Sequence, residues 1–224
     1  MRVGIIAALP REVAALVQGW QRRQGPDGVV VYTDGGAVVA CAGMGAARAE
    51  LAVVAAMATI PLTRLVSVGL AGACDPALHV GEIVRAGIVI DSRTSERFED
   101  DRYQQVLVTT DAIASVGQKE SLRRLYKAAA VDMEASAVGR LASEHGLGFS
   151  AIKAISDEAD FEIVNLESFA TADGQFREGA FALHAALHPA MWGKVIALGR
   201  NSSKALAALT KALRAELDWY RQRA

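Results

Sequence analysis

Only two cysteines, Cys41 and Cys74, occur in the 224 residues, and they form neither a CxxC pair nor a disulfide framework. Both lie in apolar surroundings, so they read as buried thiols of a reducing compartment, and the expected location is cytoplasmic. An excess of either charge is missing too: 24 Lys and Arg against 25 Asp and Glu leave a formal net charge of -1. That balance gives no electrostatic footprint for nucleic acid or for an anionic membrane surface. Long apolar runs are also absent. The first ends at Pro10 and the alanine-rich one from Leu51 to Leu62 falls short of the roughly 20 residues a span requires, so no membrane partner is expected. The four histidines, His79, His145, His184 and His188, are scattered. His184 and His188 precede Pro189 with no carboxylate nearby, so they read as packing or surface residues and no metal site is expected. No serine sits in a GxSxG elbow, and no glycine run fits GxGxxG or GxxxxGK[ST].

What the chain does contain is apolar runs alternating with helical patterns. Arg2 to Leu9 reads as a strand feeding a helix that starts at Pro10. Val29 to Thr33 and Ala37 to Ala42 flank Asp34-Gly35-Gly36, a hairpin signal. An alanine-rich helix follows from Ala46 to Thr59. Strands are expected at Arg64 to Leu70, ending in the turn Ala71-Gly72-Ala73, at Gly81 to Ile90, and at Gln105 to Thr109. Ser121 to Tyr126 reads as a short helix, Ala128 to Val131 as a strand, Glu134 to His145 as a helix stopped by Gly146, and Phe149 to Ser156 as a strand. The polar stretch from Asp157 to Arg177 reads as a long loop and a lid. Ser202 or Ser203 can cap a final helix whose Leu206, Leu209, Leu213 and Leu217 share a face. The expected fold class is α/β: a single domain over residues 1–224, with a central mixed β-sheet flanked by helices.

In such sheets ligands bind outside the carboxyl ends of strands, so polar residues just past each apolar run are the candidates. These are Glu12, the turns Gly43-Met44-Gly45 and Gly69 to Gly72, Asp111, the pair Asp132 and Glu134, and Asp157. Glu12 reads either as a residue answering a helix dipole or as a functional acid, and Asp157 either as a helix cap or as a functional acid. Asp132 and Glu134 flank Met133 where a strand runs into a helix. Two carboxylates in a low-dielectric place need an answering group, and one of them must face inward or into a cleft.

Four segments, GIIAALPREV, VGLAGACDPALHVGEIV, AVDMEASAV and AIKAISDEAD, resemble the nucleoside phosphorylase and nucleosidase superfamily in order and spacing, from Met1 to about Asp160. The nearest branch is that of the methylthioadenosine/adenosylhomocysteine nucleosidases, with a weaker likeness to hopanoid-associated phosphorylases in the carboxy-terminal third. The resemblance implies a nucleoside phosphorylase-like fold and cleavage of a purine nucleoside's N-glycosidic bond without a cofactor. It also implies a homodimer whose partner subunit contributes to the pocket for the 5′ end. Glu12 matches the base that activates the attacking water, Glu134 the residue that holds the ribose hydroxyls, and Met133 the residue packed on the sugar. Asp157 matches the acid that protonates the purine, with Ser156 before it as in the family. The chemistry agrees, since glycosidic cleavage asks for an acid at the base, an anion near the sugar and a nucleophile on the opposite face. On this reading Asp157 carries or shares a proton, which burial can arrange by raising its pKa, while Glu12 is ionised.

Departures shape the rest. Ser67 and Leu70 stand where many phosphorylases place phosphate-gripping groups, which favours water over phosphate as nucleophile. Leu70 and Lys153 replace the serine and arginine usual in the nucleosidases, so the water site differs, and Lys153 and Gly72 are expected at the substrate. Ile113 stands where the family stacks an aromatic on the base, removing about 1 kcal/mol of stacking. The chain is short between Asp91 and Val106, where the family carries a loop toward the 5′ end. The competing readings are a phosphorylase, with Lys153 or Arg11 contacting phosphate, and a nucleoside-binding relative without turnover.

Overall fold

The computed structural model describes residues 2–162 and 192–223, the second stretch with side chains from Ile196. Its strands form one 10-stranded mixed sheet. In chain order the elements are β1 (Val3–Ala7), α1 (Pro10–Val13), β2 (Gln21–Gln24), β3 (Val30–Thr33), β4 (Ala37–Cys41), α2 (Ala46–Met57), β5 (Arg64–Ala73) and β6 (Ile83–Asp91). There follow β7 (Arg97–Glu99), β8 (Gln105–Thr109), α3 (Val116–Tyr126), β9 (Ala130–Asp132), α4 (Ala135–Glu144), β10 (Gly148–Asp157) and α5 (Trp192–Arg221).

Five of the strands close on themselves: the path β10-β6-β8-β9-β5 is completed by β5 pairing with β10. From β5 the sheet continues through β1, β4, β3 and β2. Strands β1, β4, β5 and β10 all run parallel, with Val3 beside Ala37 and Arg64, and Arg64 beside Gly148. They start level, so their carboxyl ends open onto one edge, the edge where an α/β sheet holds its ligands. These strands are covered on both faces, which is why they read as unbroken apolar runs.

Helices α2 and α4 pack on one face around Ala52, Val53, Ala56, Val138 and Ala142, with Leu65 and Ile155 from the sheet. Small residues let the two helices approach closely. Helix α5 covers the other face with Ala205, Leu209, Leu213, Leu217 and Tyr220, against Ile5, Val39, Val68 and Ile152. Burial of each leucine here contributes about 1.5–3 kcal/mol. The end of α5 is fastened by Arg102, whose guanidinium donates to Glu216, Ser150 and the Tyr220 hydroxyl and stacks on Trp219.

The hairpin at Asp34 forms as expected, with Asp34 Oδ1 accepting the N–H groups of Gly36 and Ala37 at 2.9 and 2.8 Å. Other expectations need correction. Strand β5 runs straight through Ala71-Gly72-Ala73, because Gly72 and Ala73 pair with Val131 and Ala130 of β9. Helix α3 starts at Val116 and not Ser121, since Ser115 caps it and Gln118 returns the bond to the Ser115 N–H. Helix α5 already runs from Trp192, so Ser202 and Ser203 are interior, and the Ser203 hydroxyl donates back to the Gly199 carbonyl. Leu206 is only partly buried, and Ala205 takes its place on the packed stripe. Strands β2 and β7 escape sequence reading because they are polar ribbons, each hydrogen-bonded to one neighbour only. The lid reading of Asp157 to Arg177 falls from residue 163 onward outside the described residues.

Candidate active site

The shared carboxyl edge gathers two buried lysines and four carboxylates. Glu12 comes first, just after β1. Its Oε2 accepts the Leu9 N–H at 2.9 Å and its Oε1 the Leu70 N–H at 3.3 Å. It thus answers the start of α1 and also reaches across to β5 at Leu70. Gly69 makes this approach possible: its φ is +143°, and a Cβ there would stand 3.0 Å from Glu12 Oε1. Burial raises the Glu12 carboxyl above its ordinary value, with the Leu9 hydrogen bond and the Lys153 charge opposing that rise.

Asp132 and Glu134 divide the work that their spacing suggests. Asp132 ends β9 and turns inward: its Oδ1 accepts the Thr109 hydroxyl at 2.7 Å, and its Oδ2 accepts the N–H of Ala135, the first residue of α4, at 2.9 Å. The same Oδ2 lies 2.8 Å from Lys153 Nζ. Thr109 in turn accepts the Ser136 N–H, and the Ser136 hydroxyl donates to Asp91. Asp132 is therefore fully engaged within the fold. Glu134 points the other way and accepts the Gly45 N–H at 2.8 Å, which ties it to the Gly43-Met44-Gly45 turn ahead of α2. Burial of its carboxyl, opposed by Lys153 and reinforced by Asp132, pushes it up to about 7. Met133 sits between them, partly exposed.

Lys153 stands in the middle of an apolar strand and is 1% exposed. Burial alone would lower it, but Asp132, Glu134 and Glu12 outweigh that and hold it charged. One ammonium thus serves three carboxylates, and its remaining contact is the Val68 carbonyl at 3.4 Å. Ser67, earlier in β5 and beside Ala151, is fully buried within the sheet, and its hydroxyl has no partner among the described residues.

A second centre lies at the end of β10. Asp157 is 2% exposed, and its Oδ2 is 2.5 Å from the ammonium of Lys119, a residue 1% exposed. Its Oδ1 accepts the Ser156 hydroxyl at 2.7 Å, so Ser156 stands behind the acid. Gly72 lies directly against this pair: a Cβ there would be 2.8 Å from Asp157 Oδ2 and 3.0 Å from Lys119 Cε. Any side chain at position 72 would displace one or the other. The nearby Cys74 thiol is pushed up to about 12, mostly by burial.

Of the residues singled out in the sequence, the fold gathers Glu12, Glu134 and Lys153 around one centre and Gly72, Ser156 and Asp157 around the other, with Lys153 and Gly72 inside strands and not at their ends. Sequence reading missed Lys119, which sits in the polar run VGQKESLRR. The available signal was its three-residue spacing from Leu122, which puts both on the buried side of α3. Both Asp157 oxygens accept hydrogen bonds, one of them from the Lys119 ammonium. Asp111 is a surface residue 3.9 Å from Arg93 and takes no part. Ile113 is partly exposed in the connection between β8 and α3. Among the described residues no group of three or more His, Cys, Asp or Glu is arranged to hold a metal ion, and no helix is long and apolar enough to cross a membrane.

A mixed sheet with its acids at one carboxyl edge defines an α/β protein of the nucleoside phosphorylase and nucleosidase type. The family profile described as "Phosphorylase superfamily" matches residues 2–115 and 96–187, and the chain belongs to that superfamily. Solved structures agree on the fold. The 5′-methylthioadenosine/S-adenosyl homocysteine nucleosidase of Helicobacter pylori superposes with a TM-score of 0.72 at 16% identity, covering 97% of this chain and 98% of that one. The futalosine hydrolase of Helicobacter pylori gives 0.72 at 16% identity over 97% of each chain. The nucleosidase of Neisseria meningitidis named for the same two substrates gives 0.71 at 18%, covering 95% of this chain and 96% of that one. No curated protein sequence matches the chain.

Proposed function

We propose that the protein hydrolyses the N-glycosidic bond of a purine nucleoside modified at its 5′ position, such as methylthioadenosine, adenosylhomocysteine or a related compound, releasing the free base. The observation that carries the choice of water over phosphate is the commitment of Lys153. A phosphorylase needs uncompensated cationic donors for a multiply charged anion. Here the buried ammonium is bonded to Asp132 at 2.8 Å and faces Glu134 and Glu12 as well. A phosphate entering beside three carboxylates and one lysine would meet a net negative field, whereas a neutral water meets acceptors.

Glu12 is the base in this reading. Its carboxylate, fixed by two backbone N–H groups, takes a proton from water as the oxygen attacks C1′. Glu134, steadied by the Gly45 N–H, accepts the ribose hydroxyls and faces the positive charge that develops on the sugar, with Met133 packed beside it. Asp157 delivers a proton to the departing purine. Lys153 holds its ammonium against Asp132, Glu134 and Glu12 without touching the substrate. Ile113 borders the base without stacking an aromatic on it, which relaxes the preference for one purine. The similarity in fold to both methylthioadenosine nucleosidases and futalosine hydrolase supports a site in which the 5′ group varies. The reading includes a homodimer in the cytoplasm, with the partner completing the 5′ pocket.

The test is release of free base, followed by chromatography, from methylthioadenosine, adenosylhomocysteine, futalosine, adenosine and inosine in phosphate-free buffer. Base release from the 5′-modified substrates, undiminished without phosphate, is expected. Strict dependence on phosphate would make the protein a phosphorylase, and binding without release would make it a nucleoside-binding relative.

A further inference from the structure

Within that reading, the two ends of the reaction are unequally supplied. Glu12 is open to a proton from water, whereas both Asp157 oxygens are already engaged, Oδ1 by the Ser156 hydroxyl and Oδ2 by the Lys119 ammonium. A purine leaving as its anion is a poor leaving group, so a proton must come from somewhere close. The nearest is on Lys119. Its ammonium carries three N–H groups, and three acceptors surround it: Asp157 Oδ2 at 2.5 Å, the Glu158 carbonyl at 2.9 Å and the Phe161 carbonyl at 3.3 Å.

We propose that Lys119 is the proton reservoir behind Asp157, and that the proton which leaves with the purine passes from Lys119 Nζ to Asp157 Oδ2 and on to a ring nitrogen of the base. As the C1′–N bond breaks, its electron pair goes to the base, which takes the relayed proton. Water adds its oxygen to C1′ and gives its proton to Glu12. Afterwards Glu12 holds one extra proton and Lys119 lacks one, so the protein's total is unchanged, and exchange with solvent resets both. The two carbonyls hold the nitrogen in place in the depleted state. A neutral amine keeps two N–H donors for three acceptors, so one acceptor lacks a donor until exchange with solvent restores the ammonium.

The surroundings hold this geometry. Gly72 offers bare backbone to both partners. The start of α3 is bound to the strand-end segment by the Val116 N–H, which donates to Glu162 at 3.2 Å, so Lys119 and the residues after Asp157 are fixed to one another. Lys119 acts on the base only through Asp157 and is in that sense a positioning residue for the acid.

The proposal rests on glycosidic cleavage but not on which nucleophile attacks, and its test uses the leaving group. Wild type, Lys119→Arg and Lys119→Met are compared on the best nucleoside found above and on its N7-methylated form, whose base departs neutral without a proton. Arginine keeps the positive charge beside Asp157 but does not give up a proton in proteins. Both variants are expected to lose about 10²-fold in kcat on the ordinary nucleoside, with KM little changed, while staying within about threefold of wild type on the methylated one. Wild-type turnover by Lys119→Arg would overturn the inference, because charge alone would then suffice. Equal losses on both substrates in both variants would also overturn it, as the sign of a structural role. A wild type that cleaves none of the nucleosides would remove the functional reading and this inference with it.

Discussion

Glu12→Gln is expected to lower turnover by about 10²- to 10⁴-fold without unfolding the protein, the range for loss of a positioned general base. The glutamine oxygen can keep one of the two backbone hydrogen bonds that Glu12 accepts from Leu9 and Leu70, so the stability loss is about 1 kcal/mol. What disappears is the group that takes the proton from water. The pH dependence follows from the same residue. Burial raises the Glu12 carboxyl above 4.5, and only its ionised form can act as base. Turnover should therefore fall on the acid side at a pH above the ordinary carboxylate range, and that limb should vanish from the residual activity of Glu12→Gln. Steady-state rates across pH, with thermal melting of both proteins, check both parts.

Lys153→Met is expected to have the largest effect on stability, a loss of about 3–5 kcal/mol, because it strips a buried ammonium from its acids and leaves charge uncompensated. For a domain of this size that is a fall in Tm of roughly 10 °C. The sign of its pH dependence is fixed by Glu134. A carboxyl raised on folding contributes most stability below its unfolded value and loses that contribution as pH climbs through the folded one. For Glu134 the window runs from 4.5 to about 7. Lys153 lowers both Glu134 and Glu12, so its removal pushes their protonation to higher pH and extends the window upward. The deficit of Lys153→Met should be smaller at about pH 5 and larger above about pH 7, read from melting curves at several pH values. A deficit independent of pH would mean that lost packing, and not lost charge, causes it.

The legibility of this molecule in its sequence follows from where its polar groups lie. Strands β1, β5 and β10 read as apolar runs because both their faces are covered, and a carboxylate just beyond such a run stands out. Glu12, Glu134 and Asp157 were visible for that reason. Lys153 was visible as a lysine inside AIKAIS, although its bond to Asp132 depends on β9 lying antiparallel to β5, which no local pattern specifies. Lys119 was hidden because it lies among exposed charges, and its burial comes from a residue 38 positions away. The continuation of β5 past Leu70 was equally hidden, since Gly69 and Gly72 resemble a turn until their neighbours are known. In each case the missing information is a long-range pairing. The local chemistry named the acids, and the fold supplied their counter-charges.

The central claim is that water, drawn to Glu12 beside a lysine already spoken for, cleaves the glycosidic bond. The most direct measurement is to run the reaction on methylthioadenosine in ¹⁸O-enriched water with phosphate present and to weigh the released sugar by mass spectrometry. The account predicts free methylthioribose carrying one ¹⁸O and no sugar phosphate. Methylthioribose 1-phosphate without the label would contradict it.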